Sequence, residues 1–164
     1  MSAPYTIRPE RAADAAAVRA VTVAAFGQPA EADIVDRLRQ HARIYLGLVA
    51  VDGRTIVGHI LFTSVTLRSG PAPHTVMALA PMSVLPARQR GGVGSALVRA
   101  GLQACRAAGH DVVVVVGHPA FYSRFGFVHG RSLGLASHPP FPDEAFMVAQ
   151  LSPGALAGRR GVVV

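Results

Sequence analysis

Among its 164 residues the chain has one cysteine, no lysine and no tryptophan. A lone thiol, Cys105, excludes an internal disulfide and any cysteine-clustered metal site. Its mid-helix, apolar setting marks it as core rather than as a nucleophile. The absence of lysine removes Schiff-base chemistry and the Walker A phosphate loop. Long apolar runs are also missing: nothing approaches the roughly 18 residues of a spanning helix. The opening MSAPYTIRPERAAD is too polar for a signal peptide. Carboxylates are scarce, 9 against 16 arginines, for a formal charge of +7. No two histidines stand at metal-ligand spacing on a helix, so no metal is expected. These exclusions leave a soluble, cytoplasmic chain without a membrane segment, folding as a single domain over residues 1–164.

What is present is apolar enough to fold unaided. Hydrophobic residues make up 51% of the chain, far from a disordered composition. A strand is predicted from Tyr5 to Arg8, then a helix from Ala12 to Phe26, where Val18, Val21 and Ala25 recur on one face. A second helix, Ala30 to about Ala42, turns Ile34, Val35 and Leu38 inward. Leu46–Val51 and Arg54–Leu67 are strands around Asp52-Gly53, the dipeptide of a type I′ hairpin. Thr75–Leu85 returns as a further strand of an antiparallel meander. Gly92–Ala108 is helical with a polar stripe at Arg99, Gln103 and Arg106, closed by Gly109. Val112–Val116, five valines, reads as a strand buried on both faces. Strand, glycine loop, helix and buried strand make a βαβ unit with parallel outer strands. A short helix is predicted over Pro119–Phe125, a strand from Gly126 to Leu135, and a last strand from Phe146 to Leu151 before a Gly- and Arg-containing tail. The class is α+β, a mixed sheet with helices on its faces.

The chemistry concentrates in Gln89-Arg90-Gly91-Gly92-Val93-Gly94-Ser95, directly between a strand and a helix. Glycines let backbone approach a ligand, and the helix N-terminus adds unpaired N–H groups and partial positive charge. That combination suits a pyrophosphate, with Arg88 and Arg90 adding charge at the rim. A glycine-rich turn with no ligand is the plain alternative. A dinucleotide fingerprint fails, because Leu97 stands where its third glycine belongs and Asp111 begins the next strand instead of ending it.

The segment Gln89-Arg90-Gly91-Gly92-Val93-Gly94 resembles the Q/R-x-x-G-x-G/A signature of the GNAT superfamily of N-acetyltransferases. Ala80–Pro86 is similar to that family's fourth strand, and Ala120-Phe121-Tyr122-Ser123-Arg124-Phe125-Gly126-Phe127 to its tyrosine-bearing segment. The likeness runs from about Tyr5 to Leu151 and is greatest to the bacterial YhbS-like group, where Gly-His-Pro precedes the aromatic pair. The resemblance implies a mostly antiparallel central sheet of about seven strands, helices on both faces, splayed between the fourth and fifth strands. It implies an acetyl-CoA-dependent N-acetyltransferase acting on a primary amine of a small molecule or peptide by direct transfer in a ternary complex. Met82, Ser83 and Val84 would then offer backbone groups to the pantetheine arm, a backbone N–H near Val84 stabilising the oxyanion. Gln89, Arg90, Gly91, Gly92, Val93, Gly94 and Ser95 would hold the pyrophosphate. Tyr122 stands where the family carries its general acid.

The base is open. His118 follows the valine strand where many members carry an Asn, and it is the first candidate; His59 and Glu144 are others. Phe26, Phe62, Phe141 and Phe146 are assigned to the core rather than to an acceptor pocket. Two other readings remain: a module that binds and senses acyl-CoA without turnover, and an acetyltransferase directed at tRNA or another nucleic acid. The scattered arginines argue against a nucleic-acid partner. A homodimer through the C-terminal strands would be ordinary for the family, and nothing in the sequence fixes it.

Overall fold

The computed structural model describes residues 5–164; the first four residues of the polar N-terminal stretch lie outside the described residues. The elements are β1 (Thr6–Pro9), α1 (Ala15–Phe26), α2 (Ala30–His41), β2 (Tyr45–Asp52), β3 (Thr55–Arg68), β4 (His74–Val84), α3 (Val93–Ala107), β5 (Val112–Val116), α4 (Pro119–Tyr122), β6 (Val128–His129), β7 (Leu135–Ser137), β8 (Phe146–Gln150) and β9 (Gly161–Val163). The strand order is β1-β2-β3-β4-β5-β8-β6, with β7 and β9 off this path. The main path thus has the seven strands anticipated, and two short ones are added. Parallel pairing of β4 with β5 follows from the helix that joins them. Among the described residues, no helix is long and apolar enough to cross a membrane.

The contacts group the chain into two compact units. Unit 1 comprises the chain up to Thr63 together with Ala80–Gly101. Here β2 and β3 form the hairpin, with Tyr45 opposite Thr63, Val49 opposite His59 and a bulge between Ala50 and Val51. At the turn only Gly53 takes positive φ, 61°. The tight turn therefore carries glycine at its first central position instead of the two positive φ values of type I′. α1 ends on Gly27, left-handed at φ 72°, whose N–H donates to the Val23 carbonyl. α1 and α2 are clamped together by Arg19, which reaches both Asp33 and Asp36. Val18, Val21, Val35, Val49, Ile56 and Leu61 form the apolar core. Ile34 is 43% exposed, contrary to expectation. The face of α2 that goes inward is set by Ala32 and Val35, one helical turn apart, and Ile34 lies about 100° around from Val35. Gly58 and Gly101 let α3 lie close on β3: a Cβ at Gly58 would press on Leu97 and Val93, one at Gly101 on the Phe62 ring.

Unit 2 comprises Ser64–Leu79 and Leu102–Val164. Met77–Leu79 of β4 pair with Val113–Val115, and β8 lies antiparallel on the other side of β5. Four of the five valines are buried, and Val116, still paired with β8 but past the end of the β4 pairing, is 44% exposed. Leu67, Val76, Val112, Val114, Phe146, Val148 and Val163 pack together as an apolar core. The strand predicted over Gly126–Leu135 is broken: β6 lasts two residues, then a 3-10 turn at Gly130–Leu133 intervenes before β7. Gly134, left-handed at φ 74°, ends that turn and releases the chain. The tail is not loose either, since β9 pairs with both β3 and β7. Gly161 passes so close to the Arg68 backbone that no Cβ would fit. Phe62 and Phe146 are buried as predicted, whereas Phe26, at the end of α1, and Phe141, in the loop between β7 and β8, are exposed.

Candidate active site

The end of β4 is the first component, and its backbone can be read from one bond. The Leu85 N–H donates to the Val57 carbonyl of β3 at 2.9 Å. Because backbone groups alternate along a strand, the amides of Val84 and Met82 point to the opposite edge, while that of Ser83 points toward β3. The Val84 carbonyl, on that opposite edge, accepts from Gln89 Nε2 at 3.0 Å. Gln89 thereby ties the glycine loop to the strand it follows. Ser83 contributes a side chain turned inward: it is buried, with Oγ 3.4 Å from Thr22 Oγ1 of α1. Met82 and Val84 are half-buried.

The loop itself is tightly wound. Pro86–Arg88 make a 3-10 turn, Arg90 takes φ 63° and Gly92 φ 87°. Arg90 is the one non-glycine with positive φ among the described residues, a costly conformation for a side-chain-bearing residue. The first bond of α3 runs from the Ala96 N–H to the Gly92 carbonyl, so the amides of Val93 and Gly94 lie ahead of it. Gly91 and Gly92 are exposed at the mouth of this helix start. One sequence expectation changes: Arg88 does not stand at the rim as loose charge, because it is held by Asp52 at 2.7 Å. Arg90 remains exposed beside the loop glycines.

In unit 2, α4 carries the tyrosine segment. Pro119 opens the helix, and the His118 carbonyl accepts from the N–H groups of Phe121 and Tyr122. The His118 side chain is exposed. Tyr122 is buried between Phe121 and Phe127, both edge-on at 4.9 and 5.5 Å between centroids. Burial pushes its phenol above the usual range. A Cβ at Gly117 would strike the Tyr122 ring, so the glycine before His118 is what lets the ring lie there. Glu144 is exposed, next to Asp143, which pairs with Arg131.

His59, the remaining base candidate, is fully buried and hydrogen-bonded to Glu10. Glu10 was not singled out in the sequence. Its partners come from α2, β2 and β3, and no local spacing joins them. The only available signal was a histidine set in the apolar run of β3, which requires a polar partner once buried.

With this geometry in place, comparison with known proteins defines the class. The chain belongs to the GNAT acetyltransferase family, whose acetyltransferase (GNAT) domain matches residues 6–130. It is 38% identical over 134 residues to the uncharacterized N-acetyltransferase YjhQ of Escherichia coli K12, covering 80% of this chain and 74% of that one. It is 34% identical over 158 residues to the uncharacterized N-acetyltransferase YhbS of the same strain, covering 96% and 93%. The crystal structure of Escherichia coli YhbS in complex with CoA superposes with a TM-score of 0.89 at 33% identity, covering 97% of this chain and 88% of that one. A GNAT acetyltransferase from Brucella melitensis in complex with acetyl-CoA gives a TM-score of 0.78 at 36% identity, covering 98% and 94%.

Proposed function

We propose that the protein transfers the acetyl group of acetyl-CoA to a primary amine by direct attack within a ternary complex. The observation that carries this is the Gln89–Ser95 loop: a glycine-wound helix start, tied by Gln89 to the β4 edge that bears the Val84 amide. CoA and acetyl-CoA in the YhbS and Brucella structures support the choice of cofactor.

On this assignment the amides of Val93 and Gly94, with the partial positive charge of α3, hold the pyrophosphate. Arg90 adds its charge from the loop. The pantetheine arm follows the edge of β4 on which the Met82 and Val84 amides lie. The Val84 N–H stabilises the oxyanion that forms when the amine adds to the thioester carbonyl. Burial keeps Tyr122 protonated, so its phenol is a donor for the departing thiolate, whose basicity is of the same order. His118 gives α4 its start through its carbonyl, and its exposed ring serves the cofactor or acceptor.

Calorimetric titration with acetyl-CoA tests the assignment. Wild type should bind, and Gly94→Trp, which fills the loop, should not. Tyr122→Phe should keep binding and lose turnover. Absence of binding by wild type would reduce the loop to a turn; binding with turnover untouched in Tyr122→Phe would take the acid role from Tyr122.

A further inference from the structure

His59 lies on β3 with none of its side chain exposed, its Nε2 2.5 Å from Glu10 Oε1. Glu10 also accepts from the Tyr45 hydroxyl at 2.9 Å and from the Arg39 guanidinium at 3.0 and 3.3 Å. Its backbone N–H donates to the Gly47 carbonyl, and a Cβ at Gly47 would occupy the place of the carboxylate. Three elements thus converge on one carboxylate. The other ring nitrogen, His59 Nδ1, has no hydrogen-bond partner and is the one such buried side-chain atom among the described residues. A buried polar atom left unpaired is costly and calls for an explanation.

The electrostatics assign the proton. Burial pushes the Glu10 carboxyl up, but the hydrogen bonds it accepts from His59, Tyr45 and Arg39 outweigh it and hold the carboxyl below the usual range. An ionised carboxylate only accepts, so the proton of the contact is on Nε2. In the neutral imidazole Nδ1 then carries a lone pair. A buried carboxylate that fixes the tautomer of a histidine is how a histidine base is oriented in general. The position fits as well. The Leu85–Val57 bond sets an antiparallel register that brings His59 beside Ser83. Ser83 and Thr22 are also buried, their hydroxyls 3.4 Å apart, and Ser83 directly precedes Val84.

We propose that His59 is the proton acceptor of the transfer, taking the acceptor amine's proton through a water that also touches the Ser83 hydroxyl, with Glu10 as the positioning residue. This rests on the acetyl transfer proposed above. The amine nitrogen bonds to the carbonyl carbon, the C–S bond breaks, the N–H proton passes to His59 Nδ1 and the sulfur takes the Tyr122 proton. His59 then loses its proton to solvent and Tyr122 regains one, which closes the cycle. The titratable and charged groups around His59 are Glu10 after β1, the neutral phenol of Tyr45 on β2 and Arg39 on α2; Arg39 is itself held by Asp36, which also binds Arg19 of α1.

Two measurements test this. In protein labelled with 15N-histidine and saturated with acetyl-CoA, the His59 signal, assigned by its loss in His59→Gln, should show the tautomer with its proton on Nε2. The tautomer with its proton on Nδ1 overturns the proposal, and this arm needs no turnover. With ethylamine as the probe acceptor, His59→Gln should lower kcat for CoA release about 100-fold and leave the KM for acetyl-CoA unchanged. Glu10→Gln removes the carboxylate that fixes the ring proton on Nε2, so it should lower kcat in the same way with that KM again unchanged. A purely structural pair would raise that KM or leave kcat within a few-fold of wild type, and either result also overturns the proposal. Acetyl-CoA calorimetry on wild type separates the two levels: loss of binding removes the transferase function, whereas retained binding with kcat unchanged in His59→Gln removes only the role of His59.

Discussion

The two units solve the problem of a unique interior differently. Every buried polar or charged residue of the described chain (Asp14, Thr22, His59, Thr63 and Ser83) falls in unit 1. Unit 2 closes over valines, leucines and Phe146, with its ion pairs at Asp111 and Asp143 kept near the surface. An apolar core is set by volume and is indifferent to pH. A polar interior holds only while each partner is present and correctly ionised. Unit 1 is therefore the more brittle half, and it is the half that carries the glycine loop and the end of β4.

The sharpest way to break this contrast is Glu10→Ala. It strips His59, Tyr45 and Arg39 of their common acceptor and should cost about 3–5 kcal/mol in urea unfolding. Leu67→Ala in unit 2 should cost about 2–5 kcal/mol as a cavity, with the same loss at pH 5 and pH 8. If Glu10→Ala proves the milder of the two, the polar interior is not what specifies unit 1. Asp14→Asn comes next, at about 1.5–3 kcal/mol. Its hydrogen bond from Arg8 outweighs burial and, with the Arg11 amide, holds the carboxyl down to about 2 from 3.8. A depressed acid stabilises fully above its unfolded value and loses that contribution as pH falls through the folded one. The gap between wild type and Asp14→Asn should thus be complete at pH 6 and shrink between about pH 4 and pH 2. The smallest effect has the opposite sign: Arg90→Gly should raise stability by about 1 kcal/mol, seen as a higher denaturation midpoint, because glycine accepts positive φ without strain.

The fold was legible wherever one signal was strong and local. Gly109 and the polar stripe placed α3, five valines placed β5 to the residue, and Asp52-Gly53 placed the hairpin while misassigning its turn. What escaped depends on distant partners. Gly161–Val163 is only three residues long and becomes a strand because β3 and β7 flank it. Ile34 looked inward on hydropathy alone, yet the packing of α2 is decided by Ala32 and Val35. In the candidate site, the loop could be read because its function lies in contiguous backbone. The Glu10 cluster could not, since residues 10, 39, 45 and 59 meet only after the hairpin and α2 are in place.

The pairing of β9 with the far end of β3 has a consequence for how the molecule is made. Thr66 and Val164 exchange both of their backbone bonds, so a strand synthesised early must wait for residues added about a hundred positions later, and closure over such separations is slow. During translation the second half of β3 is an uncovered edge carrying Phe62, Val65 and Leu67, the kind of segment that recruits other chains. Yield in the cell should therefore depend on how quickly residues 161–164 arrive, and slow translation between residues 69 and 164 would tax this protein more than slow translation before residue 62.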